Sequence, residues 1–96
     1  MDETEFEALA EAALKRIEAA LEQDTTDADF ELKEGGILEV ELADGAKLIV
    51  NKHRAAREIW VAARSGGFHF RWDGAGWRDT RSGEELFAAF ARLLKT

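Results

Sequence analysis

The chain changes its hydrophobic period twice, and any fold must satisfy both changes. Phe6, Leu9, Ala10, Ala13, Ile17, Ala20 and Leu21 recur at helical spacing. From Phe30 the spacing drops to two: Phe30 and Leu32, then Leu38, Val40 and Leu42, then Leu48 and Val50 alternate with polar neighbours. Ile59 and Val61 mark a fourth strand, Phe68, Phe70 and Trp72 a fifth, and Trp77 a short sixth. Helical spacing then returns in Leu86, Phe87, Phe90, Leu93 and Leu94. Gly35-Gly36, Asp44-Gly45, Gly66-Gly67 and the stretch 73–76 stand where successive strands must turn. Two amphipathic helices flanking a run of hairpins can bury their stripes economically against one shared sheet face. The predicted fold is α+β, an α-β sandwich with two helices on one face of a five- to six-stranded antiparallel sheet, forming a single domain over residues 1–96.

The helix ends carry local signals. Asp2 ahead of Glu5 offers a cap for a first helix over residues 3–22, because a side-chain oxygen can accept an orphan amide of the first turn. Ser82-Gly83-Glu84-Glu85 reads as a capping box for the last helix.

Composition narrows the chemistry. The 96 residues include no cysteine, which excludes disulfides, thiolate metal sites and a cysteine nucleophile. No apolar run approaches the roughly 20 residues of a membrane span. The acidic opening MDETEFEALA is unlike a secretory signal or a transit peptide, and a soluble intracellular domain is expected. The net charge of −7 is unevenly distributed. Residues 1–48 hold 15 acids and 4 bases, a balance of −11, and residues 49–96 hold 5 acids and 9 bases, a balance of +4. Such a chain is a poor partner for nucleic acid, which needs clustered cations, and a better one for a basic protein surface or a metal cation.

On a helical wheel Glu3, Glu7, Glu11, Glu18 and Glu22 fall within about 100° of arc, beside the apolar stripe. Asp24, Asp27, Asp29 and Glu31 follow within a few residues. Three like-charge pairs at i,i+4 each cost about 0.2–0.5 kcal/mol. Two readings stand side by side: a solvated face that keeps the protein soluble, or a patch for hard cations or a basic protein. No histidine or cysteine stands at ligand spacing in the stripe, so any metal there is expected to be weakly held and partly hydrated.

With Ile59 and Val61 turned to the core, alternation sends Glu58, Trp60 and Ala62 to the opposite, solvent-facing side of the sheet. Asn51, His69 and Arg71 share that side, which makes Trp60 a candidate interaction anchor. A shifted register would instead place Trp60 in the core. His53, His69 and Ser82 lie at no triad or nucleophile-elbow spacing, and no phosphate-binding glycine loop exists.

Taken together, Asn51-Lys52-His53, Glu58-Ile59-Trp60-Val61-Ala62, Ser65-Gly66-Gly67-Phe68-His69-Phe70 and Asp79-Thr80-Arg81-Ser82-Gly83-Glu84 closely resemble the signature of the frataxin family, above all its bacterial members. The acidic first helix, opening with Glu5-Phe6 and Leu9-Ala10, extends the resemblance over essentially the whole chain. The resemblance implies a frataxin-like α-β sandwich without organic cofactor. It implies weak binding of iron, Fe²⁺ or Fe³⁺, through carboxylates of an acidic ridge, carried here by Glu3, Glu7, Glu11, Glu18, Glu22, Asp24, Asp27, Asp29 and Glu31. It further implies a non-enzymatic, iron-dependent regulator of iron–sulfur cluster assembly, monomeric without iron. The implied partners are the cysteine desulfurase and the cluster scaffold protein, with Glu18, Glu22, Asn51 and Trp60 as partner-binding residues. Departures are Ala19 beside Glu18 and Gln23 beside Glu22, where bacterial members often pair acids, and His53 in place of the usual Gln. The alternatives are a ferroxidase or iron-storage protein, which would want a defined site with bridging ligands, and a metal-independent acidic interaction module.

Mutual repulsion along the first helix makes stability sensitive to ionic conditions. Raising salt or adding divalent cations is expected to raise the melting temperature, because screening relieves the like-charge pairs. A calorimetric Tm unmoved by both would contradict that.

Overall fold

Residues 1–23 and 28–95 are described by a computed structural model. Helix α1 (Glu3–Gln23) leads into strands β1 (Asp29–Lys33), β2 (Ile37–Glu41), β3 (Lys47–His53), β4 (Glu58–Ala63), β5 (Gly66–Trp72) and β6 (Trp77–Asp79), and helix α2 (Leu86–Leu94) closes the order. The six strands form one sheet in sequence order, each antiparallel to the next.

The register aligns the apolar positions across strands. Phe30 lies opposite Val40, Leu38 opposite Val50, Val50 opposite Val61, and Ile59 opposite Phe70. These inward residues meet Phe6, Ala10, Ala13, Leu14, Ile17 and Leu21 of α1 and Leu86, Ala89, Phe90 and Leu93 of α2 in a single core. Trp77, 2% exposed, packs edge-on against Phe6 at 6.0 Å and Trp72 at 5.4 Å. The α1 stripe differs from its wheel at two positions. Leu14 is buried and Ala20 exposed, because the packed arc extends towards β1, where Leu14 shares a groove with Leu32 and Gly36. Leu32 alternates inward in pattern but remains 55% exposed, since β1 is an edge strand.

The ends of the helices show how local chemistry competes. Asp2 caps α1 as predicted, its Oδ1 accepting the Glu5 amide at 2.8 Å. Ser82 does not cap α2. The loop after β6 folds back on itself, with the Gly83 amide donating to the Asp79 carbonyl and the Asp79 amide donating to the Glu84 carbonyl, both at 2.9 Å. Asp79, itself buried, also accepts the amides of Arg81 and Ser82 on its carboxylate. Helical geometry therefore starts later, and Glu85 serves as N-cap, accepting the amides of Phe87 at 2.8 Å and Ala88 at 3.1 Å. Backbone pairing of Arg78 with Glu85 ties this cap to β6.

Gly36 is required by what lies over it. Its φ is +74°, and a Cβ there would run into Cε of Lys52, whose side chain crosses the β1–β2 turn.

Losing the Glu85 cap is expected to cost about 1 kcal/mol, or about 4–8 °C in Tm, in Glu85→Ala. Ser82→Ala costs less. Calorimetry of the two variants checks the assignment, and the reverse order would restore Ser82 as the cap.

Candidate functional site

The exposed side of α1 carries four of the five predicted stripe carboxylates to solvent or its margin. Glu3, Glu11 and Glu22 are exposed and Glu18 is partly so. Glu7 is different. Lys52 Nζ approaches its Oε2 at 2.9 Å and Arg54 Nε its Oε1 at 2.6 Å, so this carboxylate fastens α1 to the end of β3. The Lys52 side chain is 8% exposed, held by Glu7 above and Gly36 below. The hydrogen bonds from Lys52 and then Arg54 outweigh the effect of burial and hold the Glu7 carboxyl below the usual carboxylate range. Its charge is thus committed within the molecule.

Asp29 and Glu31 lie exposed on β1. Antiparallel pairing sets Asp29 opposite Glu41 and Glu31 opposite Glu39, which places four acids on the outer face at this edge. Glu39 is neutralised by Lys33 at 3.1 Å and Lys47 at 3.2 Å. Glu39 and Glu41 were absent from the predicted ridge, and the Gly35-Gly36 turn, which sets the hairpin register, is the signal that could have found them. Asp24 and Asp27 fall outside the described residues. Between α1 and β1 runs a groove of about 290 Å³ lined in part by Glu11, Lys15 and Glu18 of α1, Lys33 of β1 and Lys52 of β3.

These are hard oxygen donors of the kind that suits iron, calcium or magnesium. Among the described residues, however, no three acids or histidines converge on a point that could hold a metal ion. A cation at this stripe would meet one or two carboxylates at a time and keep most of its water.

A second constellation occupies the sheet face away from the helices. Trp60 lies there, on the outward side that alternation predicts and not in the core, though partly buried, opposite Asn51 on β3 and His69 on β5. His53 stacks on one face of its indole at 3.8 Å and His69 on the other at 4.3 Å, with ring planes within 10°. Glu58 shares this face but, contrary to the expectation of solvent, is 5% exposed. One carboxylate oxygen accepts the Trp60 indole N–H at 2.8 Å and the other accepts Arg71 at 2.7 Å. Burial alone would push this carboxyl up, but the Trp60 and Arg71 hydrogen bonds and the charges of Arg71 and His69 hold it below the usual range. The His53 ring is fixed separately by the Ala56 amide, which donates to Nδ1 at 3.2 Å. Period-two alternation places these side chains on one face, but the stack depends on pairing across three strands.

The comparisons agree with this architecture. The family model for the frataxin-like domain matches residues 1–96. The chain is 63% identical over 93 residues to the iron-sulfur cluster assembly protein CyaY of Dechloromonas aromatica (strain RCB), covering 97% of this chain and 89% of that one. It is 53% identical over 94 residues to the protein of the same name from Cupriavidus pinatubonensis, covering 95% and 85%. Among solved structures, the frataxin from Psychromonas ingrahamii superposes with a TM-score of 0.87 at 31% identity, covering 99% of this chain and 90% of that one.

A carboxyl depressed in the folded state contributes stability above its unfolded pKa and loses it as pH falls through the folded one. Glu7 and Glu58 both carry that sign, so unfolding free energy is expected to drop steadily on acidification below the ordinary carboxylate range. Glu7→Gln is expected to be less stable at neutral pH and to lose less on acidification. Urea denaturation at several pH values measures this, and parallel profiles for the two proteins would contradict the role given to Glu7.

Proposed function

Because the chain belongs to the frataxin-like family, we propose that it acts in iron–sulfur cluster assembly, as an iron-responsive adaptor that docks on the cysteine desulfurase through α1. The observation that carries this reading is the free carboxylate row on that helix. Glu11, Glu18 and Glu22 hold no ion pair among the described residues, whereas Glu7 and Glu39 are each satisfied by two cations. A row of carboxylates that makes no direct ion pair among the described residues, and is tolerated despite i,i+4 repulsion, supports recognition by a basic surface.

Two effects then act on the same row. Unscreened anionic charge steers the protein towards a cationic groove and raises the rate of encounter. Ferrous ion, attracted to the same carboxylates, lowers the charge available for docking, so iron level adjusts how the desulfurase is engaged and how sulfur is supplied. Iron in this scheme is a weakly held effector and cargo. The chain's residues supply position and charge rather than a reacting group, and the outer face with Asn51 and Trp60 completes the docking surface for the desulfurase.

One observation favours a second reading, a metal-independent acidic module: no set of three donors converges among the described residues. An amide NMR titration separates the two. Fe²⁺ under argon is expected to broaden or shift residues 18–31, and desulfurase to perturb the same stretch. Perturbation by desulfurase alone would leave the metal-independent reading.

Glu18→Lys combined with Glu22→Lys is expected to keep the fold and weaken desulfurase binding by about tenfold or more, since two attractive charges become repulsive. Calorimetric titration measures it. Wild-type affinity in the double variant would refute docking through α1.

A further inference from the structure

We propose that Glu58 is the positioning residue of the outer sheet face, holding Trp60 so that a partner meets the edge of the indole and not its ring faces. The inference rests on the reading that this face takes part in docking. Glu58 is a carboxylate in an unfavourable place. The core lies on the other side of the sheet, yet the Glu58 side chain is only 6% exposed. Burying a charge is costly unless its oxygens are satisfied, and an apolar side chain of similar volume would meet the packing need without that cost. What the carboxylate adds is directional: one oxygen takes the Trp60 indole N–H, two residues along the same strand, and the other takes Arg71 from β5.

The rest of the constellation works to the same end. His53 and His69 close both π-faces of the indole, from β3 and β5 respectively. His53 is anchored by the Ala56 amide, and His69 Nδ1 lies 3.9 Å from the same Glu58 oxygen that binds the indole. Trp60 is therefore ordered before any partner arrives, so its rotamer freedom is not lost on binding. The covered faces also select the kind of partner. An aromatic ring or a guanidinium that binds by stacking finds no open face on the indole, whereas a narrow apolar slot can admit the ring edge.

The test uses Glu58→Met, which keeps the volume but has no acceptor oxygen, alongside Glu58→Gln, which keeps an acceptor, and Trp60→Ala. Indole N–H exchange is read by NMR in the free protein, and affinity for cysteine desulfurase by titration calorimetry. Glu58→Met is expected to speed Trp60 indole N–H exchange by about tenfold and weaken docking by about fivefold, with the backbone spectrum retained. Glu58→Gln is expected to restore both to within about twofold. Unchanged indole exchange in Glu58→Met overturns the positioning role. Equal loss of docking in Glu58→Met and Glu58→Gln, with the indole still anchored in the latter, also overturns it, by assigning the effect to charge. Undiminished docking in Trp60→Ala together with faster indole exchange in Glu58→Met locates the failure in the docking reading and removes the proposal with it.

Discussion

Everything distinctive about this protein follows from covering a six-stranded meander on one side only. Both helices contribute apolar stripes to the same face, so each strand residue faces either a dry core or an unprotected surface. Strand alternation then acts as a sorting rule. Leu38, Val40, Leu48, Val50, Ile59, Val61 and Phe70 go inward, and Glu39, Ile49, Asn51, Trp60, His69 and Arg71 go outward. The helices take the opposite problem, since their outer surfaces carry the charge that the core cannot accept. Two separate surfaces result, an anionic one on α1 and a mixed aromatic and polar one on the sheet.

Periodicity made the elements legible because each residue's burial is largely a property of its own strand or helix. The helix from residue 3, the hairpin turns at Gly35-Gly36 and Asp44-Gly45, and the inward positions of every central strand all follow from spacing. The errors have a common cause: they depend on contacts between elements. Leu14 is buried because β1 lies beside α1, and Ser82 fails as a cap because the preceding loop consumes its local bonding geometry. Glu7 resembles its neighbours on the wheel and differs only because β3 brings Lys52 and Arg54 to it. Glu58 could be assigned to the correct face but not to its buried state, which needs Trp60, His69 and Arg71 around it at once.

The acidic character of the chain is therefore divided into committed and uncommitted charge. Glu7, Glu39, Glu58, Asp44 and Glu84 each hold a basic partner, and they secure helix to sheet, strand to strand and loop to helix. Glu11, Glu18 and Glu22 hold none among the described residues. A formal charge of −7 understates this contrast, since satisfied and unsatisfied acids enter the sum equally. The unsatisfied ones dominate the local field, because a paired carboxylate is partly cancelled by the cation beside it.

An open meander also leaves two edges whose backbone groups could pair with another molecule of the same kind. At one edge β6 is three residues long, and the Arg78–Glu85 pairing lets the start of α2 occupy its free side. At the other, β1 exposes Asp29, Glu31 and Lys33 within five residues, so a second copy approaching in register brings charges together. Charged side chains so placed make β1 a poor template for one more strand, so the mixed aromatic and polar outer face sits on a sheet that resists extension at this edge.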